Sequence, residues 1–176
     1  MKTLRVFVSI DIPKNIQKEI KKIQDALPEF KGKKTKPENL HLTLKFLGEI
    51  SEEKMEKVKD KLNEIKFNGF ETEINAIGVF LPSFIRIIWL HLTNCEKLQK
   101  TIDEKLSEVF KPEKRFMSHL TIARVKSVKN KTEFLDKLKG VKIPKMKFKV
   151  KEFKLKKSDL TSEGPVFETV EVYSLI

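Results

Sequence analysis

Apolar positions along this chain switch repeatedly between a period of two and a period near 3.6, and the switches mark out its elements. Residues 5–12 alternate, with Val6, Val8 and Ile10 on one parity, which predicts a strand. Pro13 suits a first helical turn, and Ile16, Ile20, Ile23 and Leu27 recur at helical spacing over 13–27. A basic loop over 28–39, with Lys31, Lys33, Lys34 and Lys36, leads to a strand over 40–47 that Gly48 should close. Ser51 reads as the N-cap of a helix, with Glu52 and Glu53 at the positive end of its dipole and Met55, Val58, Leu62 and Ile65 on its buried face. A strand over 70–79 follows.

A second pass begins near Ile85. Residues 85–92 form a strand, and Asn94 is placed to cap a helix bearing Leu98, Ile102, Leu106 and Val109. A loop over 111–117 precedes a strand over 118–125, and a short helix over 132–139 ends at Gly140. Met146, Phe148 and Val150 alternate with lysines. The apolar parity then shifts to Phe153 and Leu155, which suggests a bulge near Lys151 and Glu152. A last strand spans 166–175. The two passes match in order: strand, helix, strand, helix, strand. The expectation is one α+β domain over 1–176, bilobal, with repeat halves of about 1–80 and 81–160 related by a pseudo-twofold axis and a cleft between them.

The third element of each half carries the same tetrapeptide pattern. His41-Leu42-Thr43-Leu44 and His119-Leu120-Thr121-Ile122 both read His-x-Thr followed by an aliphatic residue. Side chains i and i+2 of a strand share a face, so each copy sets an imidazole beside a hydroxyl. Two such strands meeting at a pseudo-twofold axis would present two imidazoles across a cleft. Imidazole titrates near neutrality, so one ring can accept a proton while the other donates one. That pair suits hydrolysis of a phosphodiester without a metal or other cofactor. The remaining histidine, His91, also opens a His-Leu-Thr tripeptide, but Asn94 follows where the motif has an aliphatic residue. His91 therefore reads as structural.

Composition narrows the partners. The chain has 176 residues, 37 Lys and Arg against 25 Asp and Glu, and a net charge of +12, which favours a polyanion. A Lys-rich solvated surface would give the same balance, since only four of these cations are arginines. The single cysteine, Cys95, excludes an intrachain disulfide framework or a cysteine metal cluster. No apolar run reaches membrane-spanning length, and residues 1–5 lead straight into an alternating segment rather than a signal sequence. A cytoplasmic monomer is expected.

The sequence resembles the 2H phosphoesterases, and among them the RNA 2′,3′-cyclic phosphodiesterases, also called 2′-5′ RNA ligases. The resemblance is carried by FVSIDIP at the start, ENLHLTLKFLGE at 38–49, LPSFIRIIWL at 81–90, FMSHLTIARVK at 116–126 and LKKSDLTSEGPVFETVEVYSL at 155–175. It implies a bilobal αβ fold, no metal, and an RNA with a 2′,3′-cyclic phosphate end, such as a tRNA half, or a cyclic nucleotide as substrate. It implies His41 as general acid towards the ribose O3′ and His119 as general base towards water, with Thr43 and Thr121 holding substrate. Arg124, five residues after His119, matches an arginine that contacts the phosphate. Its parity is opposite to His119 and Thr121, so a bulge or strand end must re-aim it. Phe46 stands at the equivalent offset from His41 and reads as core rather than as a base-stacking ring. His91 lies where relatives carry a small residue. Joining RNA halves through a 2′-5′ linkage, action on a small cyclic phosphate, and a binding module without turnover remain the alternatives.

Overall fold

In the computed structural model, residues 2–176 are described, and they form nine strands and four helices. The strands are β1 (Thr3–Asp11), β2 (Lys31–Lys34), β3 (His41–Ser51), β4 (Phe70–Val79), β5 (Ile87–Leu92), β6 (His119–Ser127), β7 (Met146–Val150), β8 (Glu152–Thr161) and β9 (Gly164–Ser174). The helices are α1 (Lys14–Asp25), α2 (Glu52–Asn63), α3 (Glu96–Lys105) and α4 (Lys131–Lys139). All nine strands belong to one curled antiparallel sheet ordered β7-β4-β5-β6-β3-β1-β8-β9, with β2 added alongside β6. The architecture is the expected mixture of helix and sheet. Among the described residues, no helix is long and apolar enough to cross a membrane.

The motif strands β3 and β6 occupy the middle of the sheet and pair at a single position, Leu42 with Leu120. The two lobes diverge from there. One carries β3, β1, β8 and β9, the other β6, β5, β4 and β7. Two of the helices cross this division, for α1 packs on β6 and α3 packs on β3. The apolar face of α1, Ile16, Ile20 and Ile23, is buried as its spacing predicts. A core of aliphatic side chains from both lobes, including Val8, Leu42, Leu90 and Leu120, excludes water entirely.

Several local expectations change. The halves of the sequence and the halves of the sheet differ. β4 ends the first repeat in chain order but hydrogen-bonds to β5 and β7, whereas β8 from the other end of the chain pairs with β1. The parity shift after Val150 is therefore not a bulge within one strand. Lys151 is the point where the chain leaves one lobe at β7 and enters the other at β8. The basic loop contains strand β2. Gly48 does not close β3, which runs on to Ser51 while Gly48 takes φ +75°. Ser51 does cap α2, its Oγ accepting from the Lys54 amide at 3.2 Å. Asn94 is not a cap. It adopts φ 65°, a conformation asparagine tolerates better than most residues, and its Nδ2 donates to the Glu71 carbonyl at 3.0 Å, while α3 begins only at Glu96. Phe46 is not core. It is 49% exposed, with the Arg5 guanidinium 4.9 Å from its ring centroid.

Candidate active site

Leu42 and Leu120 both point into the core, so their neighbours on either side point out of it. Extending the antiparallel register by one residue each way puts His41 opposite Thr121 and Thr43 opposite His119. The histidines are thus diagonal neighbours, a relation that in a regular ladder separates side chains by about 7–8 Å. That span accommodates a phosphoryl group between two rings.

Both imidazoles are held in the same way. Nδ1 of His41 lies 2.7 Å from the Asn39 carbonyl, and Nδ1 of His119 lies 2.9 Å from the Met117 carbonyl. A carbonyl only accepts, so each Nδ1 carries a proton and each Nε2 is the atom left for chemistry. The Nε2 of His41 accepts from the Thr43 hydroxyl at 3.0 Å. His91 is different. It sits beside His119 in the β5–β6 register, but its Nδ1 is bonded to Asn75 Oδ1 at 2.7 Å and it does not line the cleft.

A cavity of about 330 Å³ opens over the motif strands. His41, Thr43, His119, Thr121 and Arg124 all line it, so the fold gathers the five candidate catalytic and substrate-binding residues. Arg124 gets there through a β-bulge. Ile88 pairs with Ala123 and Trp89 with Thr121, which leaves Ile122 as an extra residue in β6. Ile122 and Ala123 are both buried, the alternation slips by one, and Arg124 emerges on the face of Thr121. β3 repeats the device, for Val8 pairs with Lys45 and Ser9 with Thr43, leaving Leu44 extra. There the residue brought to the surface is Phe46, which does not line the cavity.

The bulge in β6 is braced from the other lobe's sequence. Nε2 of Gln24, buried on α1, donates to the Ile122 carbonyl at 2.8 Å and the Thr35 carbonyl at 2.9 Å. The Thr35 amide also donates to Ile122 O at 2.9 Å, and its hydroxyl to Thr121 O at 3.0 Å. Strand β2 then runs along β6 with Lys33 opposite Arg124. Gly32 is required for this approach, since a Cβ there would stand 2.1 Å from the Arg124 carbonyl oxygen. The result is a cationic wall of Lys33, Lys34, Lys36 and Arg124. Among the described residues, no three His, Cys, Asp or Glu side chains gather as a metal site.

The rings sit in unequal surroundings. His41 packs against Phe7 and Phe167, with both ring centroids at 5.0 Å. Burial lowers its pKa from 6.5 to about 4, the Lys156 and Arg124 charges act in the same sense, and the Asn39 bond and Asp11 oppose them. Burial alone would raise the Asp11 carboxyl, but hydrogen bonds from Lys154 and Lys156 outweigh it and hold it below its usual range. Among the described aromatic rings, His119 packs against Phe80, edge-on at 4.7 Å. Phe167, Phe80, Gln24 and Thr35 were not among the residues expected from the sequence. Only Gln24 left a signal there, a polar residue directly after Ile23 on the buried stripe of α1.

Comparison with known proteins agrees with this arrangement. The chain matches the family described as LigT like phosphoesterase over residues 10–89 and 92–167. The RNA 2′,3′-cyclic phosphodiesterase of Methanocaldococcus jannaschii is 41% identical over 175 residues, covering 96% of this chain and 99% of that protein. Its namesake from Methanothermobacter thermautotrophicus is 34% identical over 184 residues, covering 98% and 99%. The crystal structure of Escherichia coli LigT complexed with 3′-AMP superposes with a TM-score of 0.81 at 25% identity, over 99% of both chains. Matched across nearly its whole length in sequence and in fold, the chain belongs to the LigT-like phosphoesterase family.

Proposed function

We propose that this protein hydrolyses the 2′,3′-cyclic phosphate at an RNA end or on a nucleoside, using His41 and His119 as its acid–base pair and no metal. The observation that carries the reading is the pinning of both Nδ1–H groups on backbone carbonyls. It leaves two Nε2 atoms and the Arg124 guanidinium facing one cleft. The names of the M. jannaschii and M. thermautotrophicus relatives support the substrate class. One imidazole comes from each lobe, which supports reading residues 1–176 as a single catalytic unit.

In this mechanism Nε2 of His119 takes a proton from water as its oxygen attacks phosphorus. The P–O3′ bond breaks, and O3′ receives the proton of Nε2–H on His41. The products are a 2′-phosphate and a free 3′-hydroxyl. General acid–base assistance of this kind contributes about 10²–10⁴-fold per group. Arg124 grips non-bridging oxygens through its planar fork of donors, and Thr43 and Thr121 stabilise charge developing on them. His41 is neutral in the free protein because of its depressed pKa. Its role as acid therefore requires the bound phosphate anion to return the proton affinity that burial removes.

The test is product analysis by phosphorus NMR after incubation with a 2′,3′-cyclic mononucleotide, with and without a strong chelator. A 2′-phosphate formed equally fast in both is expected. A 3′-phosphate as main product would reverse the assignment of His41 to O3′, and loss of activity under chelation with recovery on added zinc or manganese would defeat metal independence.

A further inference from the structure

Two helices reach across the sheet and touch the bulge on the opposite motif strand. From α1, Gln24 ties the loop before β3, at Thr35 O, to the bulge of β6, at Ile122 O. From α3, Asp103 ties the loop before β6, at the Glu113 amide 2.7 Å away, to the bulge of β3 through a buried ion pair with Lys45. Lys45 Nζ also donates to the Lys111 carbonyl at 2.9 Å. The braces are related as the lobes are, but their chemistry differs. A bulge leaves backbone groups outside the ladder, and a buried carbonyl must find a donor. At Ile122 the donors are the Gln24 amide and the Thr35 N–H. Both Gln24 partners are carbonyl oxygens, so the orientation of the amide is fixed by the network.

We propose that Gln24 is a positioning residue for Arg124. It acts through Ile122 O to hold the slipped alternation that turns the guanidinium into the cleft. This rests on the reading of Arg124 as the phosphate contact. Leucine at position 24 keeps the volume but donates nothing. Ile122 O then loses one of its two donors, and the regular ladder, with Arg124 turned away from the cleft, gains weight.

The experiment is a double-mutant cycle on turnover of a 2′,3′-cyclic mononucleotide, with Gln24→Leu and Arg124→Ala. Gln24→Leu should lower kcat/KM about tenfold when Arg124 is present and barely at all in the Arg124→Ala background, since coupled residues are non-additive. Equal losses in both backgrounds would mean that Gln24 serves only stability, and would overturn the proposal. Thr35→Val, which removes the bond to Thr121 O, should show the same coupling and covers the case in which Gln24→Leu does not fold. If Arg124→Ala is itself fully active, the reading of Arg124 fails instead. The crystal structure of Gln24→Leu then decides the brace alone: an Arg124 unmoved in the cleft would refute it.

A second inference rests on separate residues. Phe80, Leu81 and Phe84 are 43%, 58% and 55% exposed on one turn. The turn is closed by the Phe84 amide on Leu81 O at 3.0 Å and tethered by Lys131 Nζ on Ser83 O at 2.5 Å. Arg86 Cζ stands over the Phe84 ring, 4.1 Å from its centroid, while Phe80 reaches the His119 ring. An exposed aromatic and arginine surface continuous with a phosphodiesterase centre has the chemistry of a base-stacking platform. We infer that it receives the nucleotides preceding the reacting end of an RNA substrate, again given the proposed activity. Phe84→Ala should lower kcat/KM about tenfold for an oligoribonucleotide with a 2′,3′-cyclic end and leave that for the mononucleotide unchanged. Equal effects, or none, would overturn it. If the wild type turns over neither substrate the activity reading fails, and fluorescence titration of a 2′-phosphorylated oligoribonucleotide still decides: affinity unchanged by Phe84→Ala refutes the platform.

Discussion

The protonation of His41 offers the sharpest quantitative test. Its folded pKa of about 4 lies well below the ordinary 6.5. At 1.36 kcal/mol per pKa unit that gap favours the neutral ring by roughly 3 kcal/mol. The first cause is burial against Phe7 and Phe167, and the Lys156 and Arg124 charges add to it. A phosphate in the cleft would oppose both charges and accept a hydrogen bond from Nε2–H, so it must restore about the same energy before His41 can serve as an acid at neutral pH. The assay is NMR of histidine ring nitrogens, assigned with His41→Gln, titrated with and without a 2′-phosphonucleotide. The free ring should stay neutral at Nε2 down to about pH 4, and the bound ring should titrate at least two units higher. Stability carries the same sign. The unfolded chain takes up this proton at higher pH than the folded one, so the contribution is complete above pH 6.5 and is lost as pH falls towards 4. His41→Gln should therefore lose less stability than wild type over that window. A free His41 that titrates near 6.5 would refute the burial argument, and a low titration that ligand leaves unmoved would hand the acid role to His119.

Replacing either motif histidine by alanine should lower kcat by at least about 10²-fold with the fold intact by circular dichroism, whereas His91→Ala, which loses only the bond to Asn75, should stay near wild type; comparable damage at His91 would contradict its structural role. Gly32→Ala should displace β2 from β6, because the added carbon meets the Arg124 carbonyl at 2.1 Å; a loss of thermal stability together with a raised KM is expected, and an unchanged melting temperature would show that the strand pairing gives way freely. With Lys33, Lys34 and Lys36 on the cleft wall, oligonucleotide affinity should fall more steeply with salt than mononucleotide affinity; equal slopes would mean that these lysines release no counterions.

Most of the elements, though not β2 or the separation of β7 from β8, and the side of each motif strand facing the cleft were legible in the sequence, because side-chain alternation is a local property of a strand. His41 with Thr43, and His119 with Thr121, share a face whatever the rest of the chain does. The buried stripe of α1 and the Ser51 cap were equally local. Arg124 shows where locality ends. Its direction depends on one extra residue at Ile122, and that bulge exists only because β5 on one side, and Thr35 with Gln24 on the other, fix the ladder around it. Phe46 was misjudged for the same reason, since the matching bulge at Leu44 turns it outward. The partner of β4 was also undetermined, because repeat order says nothing about which lobe a strand joins. The acidity of His41 belongs wholly to the tertiary structure. Phe7 and Asp11 reach that ring from β1 and Lys156 and Phe167 from β8 and β9 at the other end of the chain, and a pKa responds to burial and charge in space, not along the chain.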